Sequence, residues 1–223
     1  MKQYSKLVLI GMCIFALNIN LQAQVKKSPA PKKPTQATPA AKPVTTPAAA
    51  VKTEKITPED MQKSWEQYMT PGKQQEFIAQ FNGEWKEEVT VWMSPGTPPM
   101  TSNSSCKNEM ILGGRYQQSH HEGDFNGMKF EGIGLLGYDN AKKVYQSSWI
   151  DNMGTGIMSM EGTYNEKERK FEFTGKQVDP MTGKEMNVRE TMELIGDNTQ
   201  VMKMFMTPNG KKEYQSMEIK FTR

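Results

Sequence analysis

The sequence predicts an all-β fold, an antiparallel up-and-down barrel of the lipocalin type with about ten strands, entered through one or two short helices. Three observations predict it. From Trp85 onward, short segments of alternating polarity follow one another at close, regular spacing. The turns between them are far too short for the helical crossovers that parallel strands need. Inside one strand pair sit Gly132, Gly134 and Gly137, and an interior glycine marks a bend or a close approach of backbones. A sheet this long exposes two edges unless it curls, splits or closes. Closure is the preferred reading, and a two-sheet sandwich is the alternative.

Residues 1–23 read as an export signal: Lys2 and Lys6 precede an apolar run from Leu7 to Leu17, and Leu21-Gln22-Ala23 offers a cleavage site. The run is shorter than the roughly 20 apolar residues of a membrane span, so no transmembrane segment is expected and the chain is assigned to the periplasm or the exterior. Cys13 lacks the small residue that should precede a lipidated cysteine. Its removal with the signal leaves Cys106 alone, which excludes an internal disulfide and favours a small buried residue. Residues 24–55 are rich in Ala, Pro, Lys and Thr and nearly empty of large apolar side chains. Such a linker has too little surface to bury to offset its ordering entropy. It also carries enough lysine to conceal an acidic excess in the domain C-terminal to it, and that excess argues against nucleic acid as a partner.

The segment 56–82 reads as helical. Thr57-Pro58-Glu59-Asp60 combines a cap, a first-turn proline and acids at the positive end of the helix dipole. A second start at Thr70-Pro71 leads to an apolar face of Phe77, Ile78 and Phe81, ended by Gly83. The barrel then occupies 83–223. Its first strand runs from Trp85 to Met93, with Trp85, Val89, Val91 and Met93 on one face and Glu87 interrupting that face. Strands follow at Ser102–Ile111, Arg115–Glu122, Phe130–Tyr138, Val144–Asp151, Ile157–Tyr164, Phe171–Val178, Met186–Leu194, Val201–Met206 and Tyr214–Phe221. Asp139-Asn140 and Asn209-Gly210 supply turn chemistry between neighbours.

Several motifs in this order carry a resemblance: Gly83-Glu-Trp85, the Trp92–Met100 segment, Leu112-Gly-Gly-Arg115-Tyr116 and Phe130-Glu-Gly132, then Gly137-Tyr-Asp-Asn140, Trp149-Ile-Asp151 and Gly162-Thr163-Tyr164. Together they resemble the bacterial domain-of-unknown-function family numbered fifteen seventy-nine, over nearly all of Gly83 to Arg223. The resemblance implies a lipocalin-like barrel and no established activity.

The candidate chemistry is sparse. His120 and His121 are the only histidines and point to opposite faces of a strand, so they cannot converge on one ion. One of them can still meet a pocket beside Glu122 or Glu131. Nothing in the sequence signals haem, a phosphate loop, a nucleophile elbow or a paired-cysteine metal site, so neither a cofactor nor a metal is expected. Tyr138, Trp149 and Asp151 flank one turn as phenol, indole and carboxylate, with Arg115 as an ion partner for the acid. Methionine is abundant, at 18 residues; Met158 and Met160 share one strand face, and Met202, Met204 and Met206 another. Thioethers make adaptable apolar surfaces and, where they converge, soft-metal ligands. The expectation is a non-enzymatic module that holds a small hydrophobic molecule in its lumen. Its ligand would meet Arg115, His121, Tyr138, Trp149, Asp151, Met158, Met160 and Met204. The alternatives are an enzyme using Asp151 or His121 against Tyr138, and a structural envelope protein with a filled barrel.

Overall fold

The computed structural model describes residues 56–223, so the signal and the basic linker lie outside the described residues. Helix α1 spans Pro58–Met69 and begins as its sequence dictates. The Asp60 amide donates to Thr57 Oγ1 at 3.2 Å, and the Thr57 amide donates to the Asp60 carboxylate at 3.1 Å. That reciprocal pair satisfies two donors the helix would otherwise leave free. Helix α2 spans Lys73–Ala79; its cap is Gly72 rather than Thr70, with the Gly72 amide donating to Gln75 Oε1 at 2.8 Å.

Ten strands follow: β1 Gly83–Val91, β2 Met100–Ile111, β3 Tyr116–Phe125, β4 Met128–Asp139, β5 Val144–Asp151, β6 Met158–Asn165, β7 Lys170–Asp179, β8 Lys184–Leu194, β9 Thr199–Thr207 and β10 Tyr214–Thr222. Each pairs antiparallel with its sequence neighbour, and β1 pairs with β10 to close the barrel. The closing register sets Glu87 opposite Phe221 and Val91 opposite Met217, so the sheet has no free edge among the described residues. The β9–β10 connection is longer than a two-residue hairpin, running from Pro208 to Glu213, with Gly210 in the left-handed region at φ +74°.

Alternation sends one face of each strand inward, and helix α2 closes one end of what they enclose. Ile78 is fully buried, Phe77 packs on Tyr164 and Phe171 with ring centroids 4.6 and 5.8 Å away, and Phe81 lies 6.4 Å from Phe171. Wall side chains add bonds to carbonyls at and just beyond the helix end. Gln117 Nε2 donates to the Ile78 carbonyl at 2.9 Å, and Trp85 Nε1 to the Phe81 carbonyl at 2.9 Å. Gln75 Nε2 ties the helix to the Tyr138 carbonyl at 3.0 Å. Above Trp85 sits the Arg223 guanidinium, 4.4 Å from the ring centroid. The plug is therefore held by apolar packing and by directed hydrogen bonds together.

Helix α1, by contrast, buries none of its residues. Its last turn is held by Asn140, whose Nδ2 donates to the carbonyls of Gln67, Tyr68 and Thr70 at 2.8–3.2 Å. The turn residue thus reaches outward, while Asp139 makes the local turn bonds, accepting from the amides of Ala141 and Lys142 at 2.8 and 2.9 Å. The outer face carries exposed cross-strand ion pairs, such as Lys176–Glu185 at 2.9 Å and Lys203–Glu218 at 3.5 Å. A lipid-facing barrel would need an apolar band there. Among the described residues, no helix is long and apolar enough to cross a membrane.

Candidate functional site

Inside the barrel a cavity of about 310 Å³ remains, toward the small end of ligand-site volumes. Its wall has two characters. Strands β1 to β5 carry most of the polar groups, Glu87, Ser104, Cys106, Asn108, Gln117, His121 and Asp151, set among apolar Val89, Val91, Leu136 and Trp149; strands β6 to β10 are mainly apolar, with Met158, Met160, Phe171, Phe173, Met202 and Met204 beside Glu190 and Gln200. A larger groove of about 690 Å³ runs outside, between the end of α1 and the β4–β5 turn. It is open to solvent, and Arg115 and Asn140 within it are already bonded to helix carbonyls. The lumen is the better site, because side chains from all ten strands converge on it and its lining is mainly apolar with a few polar groups.

The polar wall is organised by register. Trp85 pairs with Cys106, Cys106 with His121, and His121 with Gly132. One step along, Glu87 pairs with Ser104. The buried Glu87 carboxylate accepts from Ser104 Oγ at 2.5 Å and from His121 Nδ1 at 2.8 Å. This partner assigns the imidazole proton to Nδ1. Nε2 then faces Cys106 Sγ at 3.6 Å. The thiol donates to Asn108 Oδ1 at 3.0 Å, while Asn108 Nδ2 donates to the Phe81 carbonyl at 3.0 Å. A continuous chain of polar groups therefore runs from mid-lumen to the plug. Burial, reinforced by the nearby Glu87 carboxylate, pushes the Cys106 thiol well above its ordinary range, so the free side chain is a thiol and not a thiolate nucleophile.

Next to this chain lies the Trp149 indole. It meets the His121 ring edge-on at 4.9 Å and donates through Nε1 to Asp151 Oδ2 at 2.7 Å. The remaining Asp151 oxygen accepts from the Met153 amide at 2.9 Å. Glycines make room for the ring: a β-carbon at Gly132 would stand 2.5 Å from Trp149 Cζ2. At Gly134 a β-carbon would collide with Ser119 Oγ and stand 3.6 Å from the indole. The interior glycines thus seat an aromatic plate against the wall.

Six of the eight expected contact residues line the lumen: His121, Trp149, Asp151, Met158, Met160 and Met204. Two do not. Arg115 is exposed outside the barrel, where it donates to the Leu112 carbonyl at 3.0 Å and the Met69 carbonyl at 2.7 Å; it orders the α1 end and makes no bond to Asp151. Tyr138 packs at the plugged end, edge-on to Tyr145 at 4.9 Å, and stays off the cavity wall. The acid–base set of Asp151 or His121 with Tyr138 is therefore not assembled: the lumen carboxylate that His121 meets is Glu87. Glu131 and Glu122 sit on the outer face, where His120 meets Glu131 at 3.2 Å.

Three lumen residues escaped the sequence-based expectation. Glu87 registered only as a break in an apolar face, although its alternation with Trp85, Val89 and Val91 already placed it inward. Cys106 lacked a partner until the register supplied His121. Glu190 stands in the apolar half between Phe173 and Met204. It keeps some surface, yet that surface is cavity wall and protein atoms enclose the group deeply. The enclosure governs its charge, and desolvation pushes its carboxyl up to about 7. The lining holds Glu87, Asp124, Asp151 and Glu190 and neither lysine nor arginine.

No curated protein is similar to the chain. Among solved structures, the barrel is similar to the crystal structure of Rv2717c from M. tuberculosis, with a TM-score of 0.53 and 13% identity, over 69% of this chain and 99% of that one. That likeness is one of fold. The family described as a protein of unknown function, DUF1579, matches residues 70–223, spanning α2 and all ten strands, and the chain belongs to that family.

Proposed function

We propose that the protein is an exported, non-enzymatic binding module that holds a small hydrophobic molecule in its lumen. The observation that carries the reading is the cavity of about 310 Å³ inside the barrel, with a methionine- and phenylalanine-rich side and a side on which polar groups stand among apolar ones. An unfilled interior weighs against the purely structural barrel. A two-sided wall suits an elongated molecule with an apolar body and one polar end. The charge of the wall narrows the class further. With Glu87 buried and Asp151 part-buried on it and no lysine or arginine, a ligand carboxylate or phosphate would meet carboxyl groups and no cation in a poorly hydrated space. The ligand is accordingly uncharged or cationic. The methionines let the apolar wall adapt to chains of differing shape.

Trp149 lies on this wall and reports directly. The test is titration of the full chain with a medium-length brominated fatty alcohol, whose bromine quenches a nearby indole. Saturable quenching at one equivalent, lost in Trp149→Phe, is expected, with the matching brominated fatty acid binding more weakly. Quenching that never saturates, or persists unchanged in Trp149→Phe, would remove the lumen as the site.

A further inference from the structure

We propose that Cys106 and His121, backed by Glu87, form a site in the lumen wall for a divalent transition ion of the zinc class. This goes beyond the small-molecule reading and does not depend on it. The three side chains are buried, at 3%, 8% and 2% exposure for Cys106, His121 and Glu87, and their donor atoms lie within 4.8 Å of one another.

The hydrogen bonds leave an unfilled position. His121 spends its Nδ1 proton on Glu87 at 2.8 Å, and the single thiol proton is spent on Asn108 Oδ1 at 3.0 Å. Two lone-pair atoms, Nε2 and Sγ, therefore face each other at 3.6 Å with no proton assigned between them. Their separation suits a shared cation. With metal–sulfur and metal–nitrogen bonds of about 2.3 and 2.1 Å at a tetrahedral angle, the two donors stand about 3.6 Å apart. The Glu87–His121 bond is the carboxylate–imidazole arrangement that orients metal-bound histidines and raises their basicity. A thiolate with an imidazole selects a borderline or soft ion over calcium or magnesium.

Charge points the same way. A Cys106 thiolate and the Glu87 carboxylate sum to two negative charges in a lumen without lysine or arginine, and one divalent ion balances them. Binding breaks the S–H bond, forms the metal–sulfur bond and releases one proton to solvent, with no change of oxidation state. Two coordination positions are left for water or for a donor atom on a lumen ligand, one more than an open zinc site with three protein ligands keeps.

The test uses cobalt(II) as a spectroscopic stand-in, in a full chain carrying Cys13→Ser so that Cys106 is its only thiol. The expected result is one cobalt per chain with a sulfur-to-cobalt charge-transfer band in the near ultraviolet, displaced by one equivalent of zinc. Adding Cys106→Ser or His121→Gln abolishes that signal. Glu87→Gln retains the band and weakens affinity about 10- to 100-fold. Absence of the band in the parent, or its survival in Cys106→Ser, overturns the proposal. If the Cys106 variant fails to fold, the parent thiol itself reports: zinc should slow alkylation of Cys106, and an unchanged rate overturns the proposal equally.

Discussion

Replacing Glu190 by glutamine perturbs one carboxyl in the apolar half of the lumen, and its effect on stability follows from its surroundings. In the folded chain the group titrates near 7, against an ordinary value of 4.5, because enclosure by the barrel disfavours its charged form. Between those values the folded state holds a proton that the unfolded state has lost. Stability attributable to Glu190 is therefore fully present at pH below the ordinary value and is lost as pH rises through about 7. At 1.36 kcal/mol per pH unit the whole span is worth about 3 kcal/mol, of which about 2.5 kcal/mol falls between pH 5 and pH 8. Glutamine keeps the shape without the charge and costs about 1 kcal/mol for an amide that lacks a partner. Urea unfolding of both proteins at pH 5 and pH 8, at matched ionic strength, isolates the effect, since every other titrating group is common to the two. The Glu190→Gln protein should be slightly the less stable at pH 5 and the more stable by about 2 kcal/mol at pH 8. Parallel pH profiles would show that Glu190 is solvated and that the desolvation argument is wrong.

Gly132→Ala drives a methyl into the Trp149 ring, 2.5 Å away; a stability loss of about 1–3 kcal/mol and a shifted Trp149 emission are expected in denaturation and fluorescence scans. Ile78→Ala, at the fully buried centre of the plug, should cost about 2–5 kcal/mol, and a loss below about 1 kcal/mol would mean that α2 does not pack as described. Asn140→Ala removes the side chain that holds the α1 carbonyls. Because α1 buries nothing, hydrogen exchange in residues 58–69 should accelerate while the barrel midpoint in urea barely moves; a large global loss would contradict this division.

The architecture was legible because both its signals are local. Alternating polarity fixes which strand face turns inward, and Asp, Asn and Gly at the turns fix where strands end, so Val144–Asp151 could be read to the residue. Thr57 and Asp60 likewise gave the α1 start through a bond between neighbours three apart. The site was half legible, since it is assembled across strands. Trp149, Asp151 and the methionines could be grouped on strand faces by parity alone, whereas which of the two adjacent histidines turns inward stayed open until the structure placed His121 on the lumen wall. What parity cannot supply is which groups on different strands share a level: Cys106 met His121 only through the β2–β3 register, and Glu87 reached the imidazole across 34 positions. Arg115 was misplaced for a related reason. It sits in the β2–β3 connection, ahead of the β3 start at Tyr116, where strand parity no longer governs direction, and its guanidinium bonds the Met69 carbonyl at the end of α1 instead.

The most direct measurement is native mass spectrometry of the folded chain, isolated without detergent and then mixed with a medium-length fatty alcohol or alkylamine. Retention of a single small molecule per chain, released when the barrel unfolds and outcompeting a fatty acid of equal length, is the predicted result. Bare protein masses across neutral, cationic and anionic amphiphiles would contradict a ligand-holding lumen.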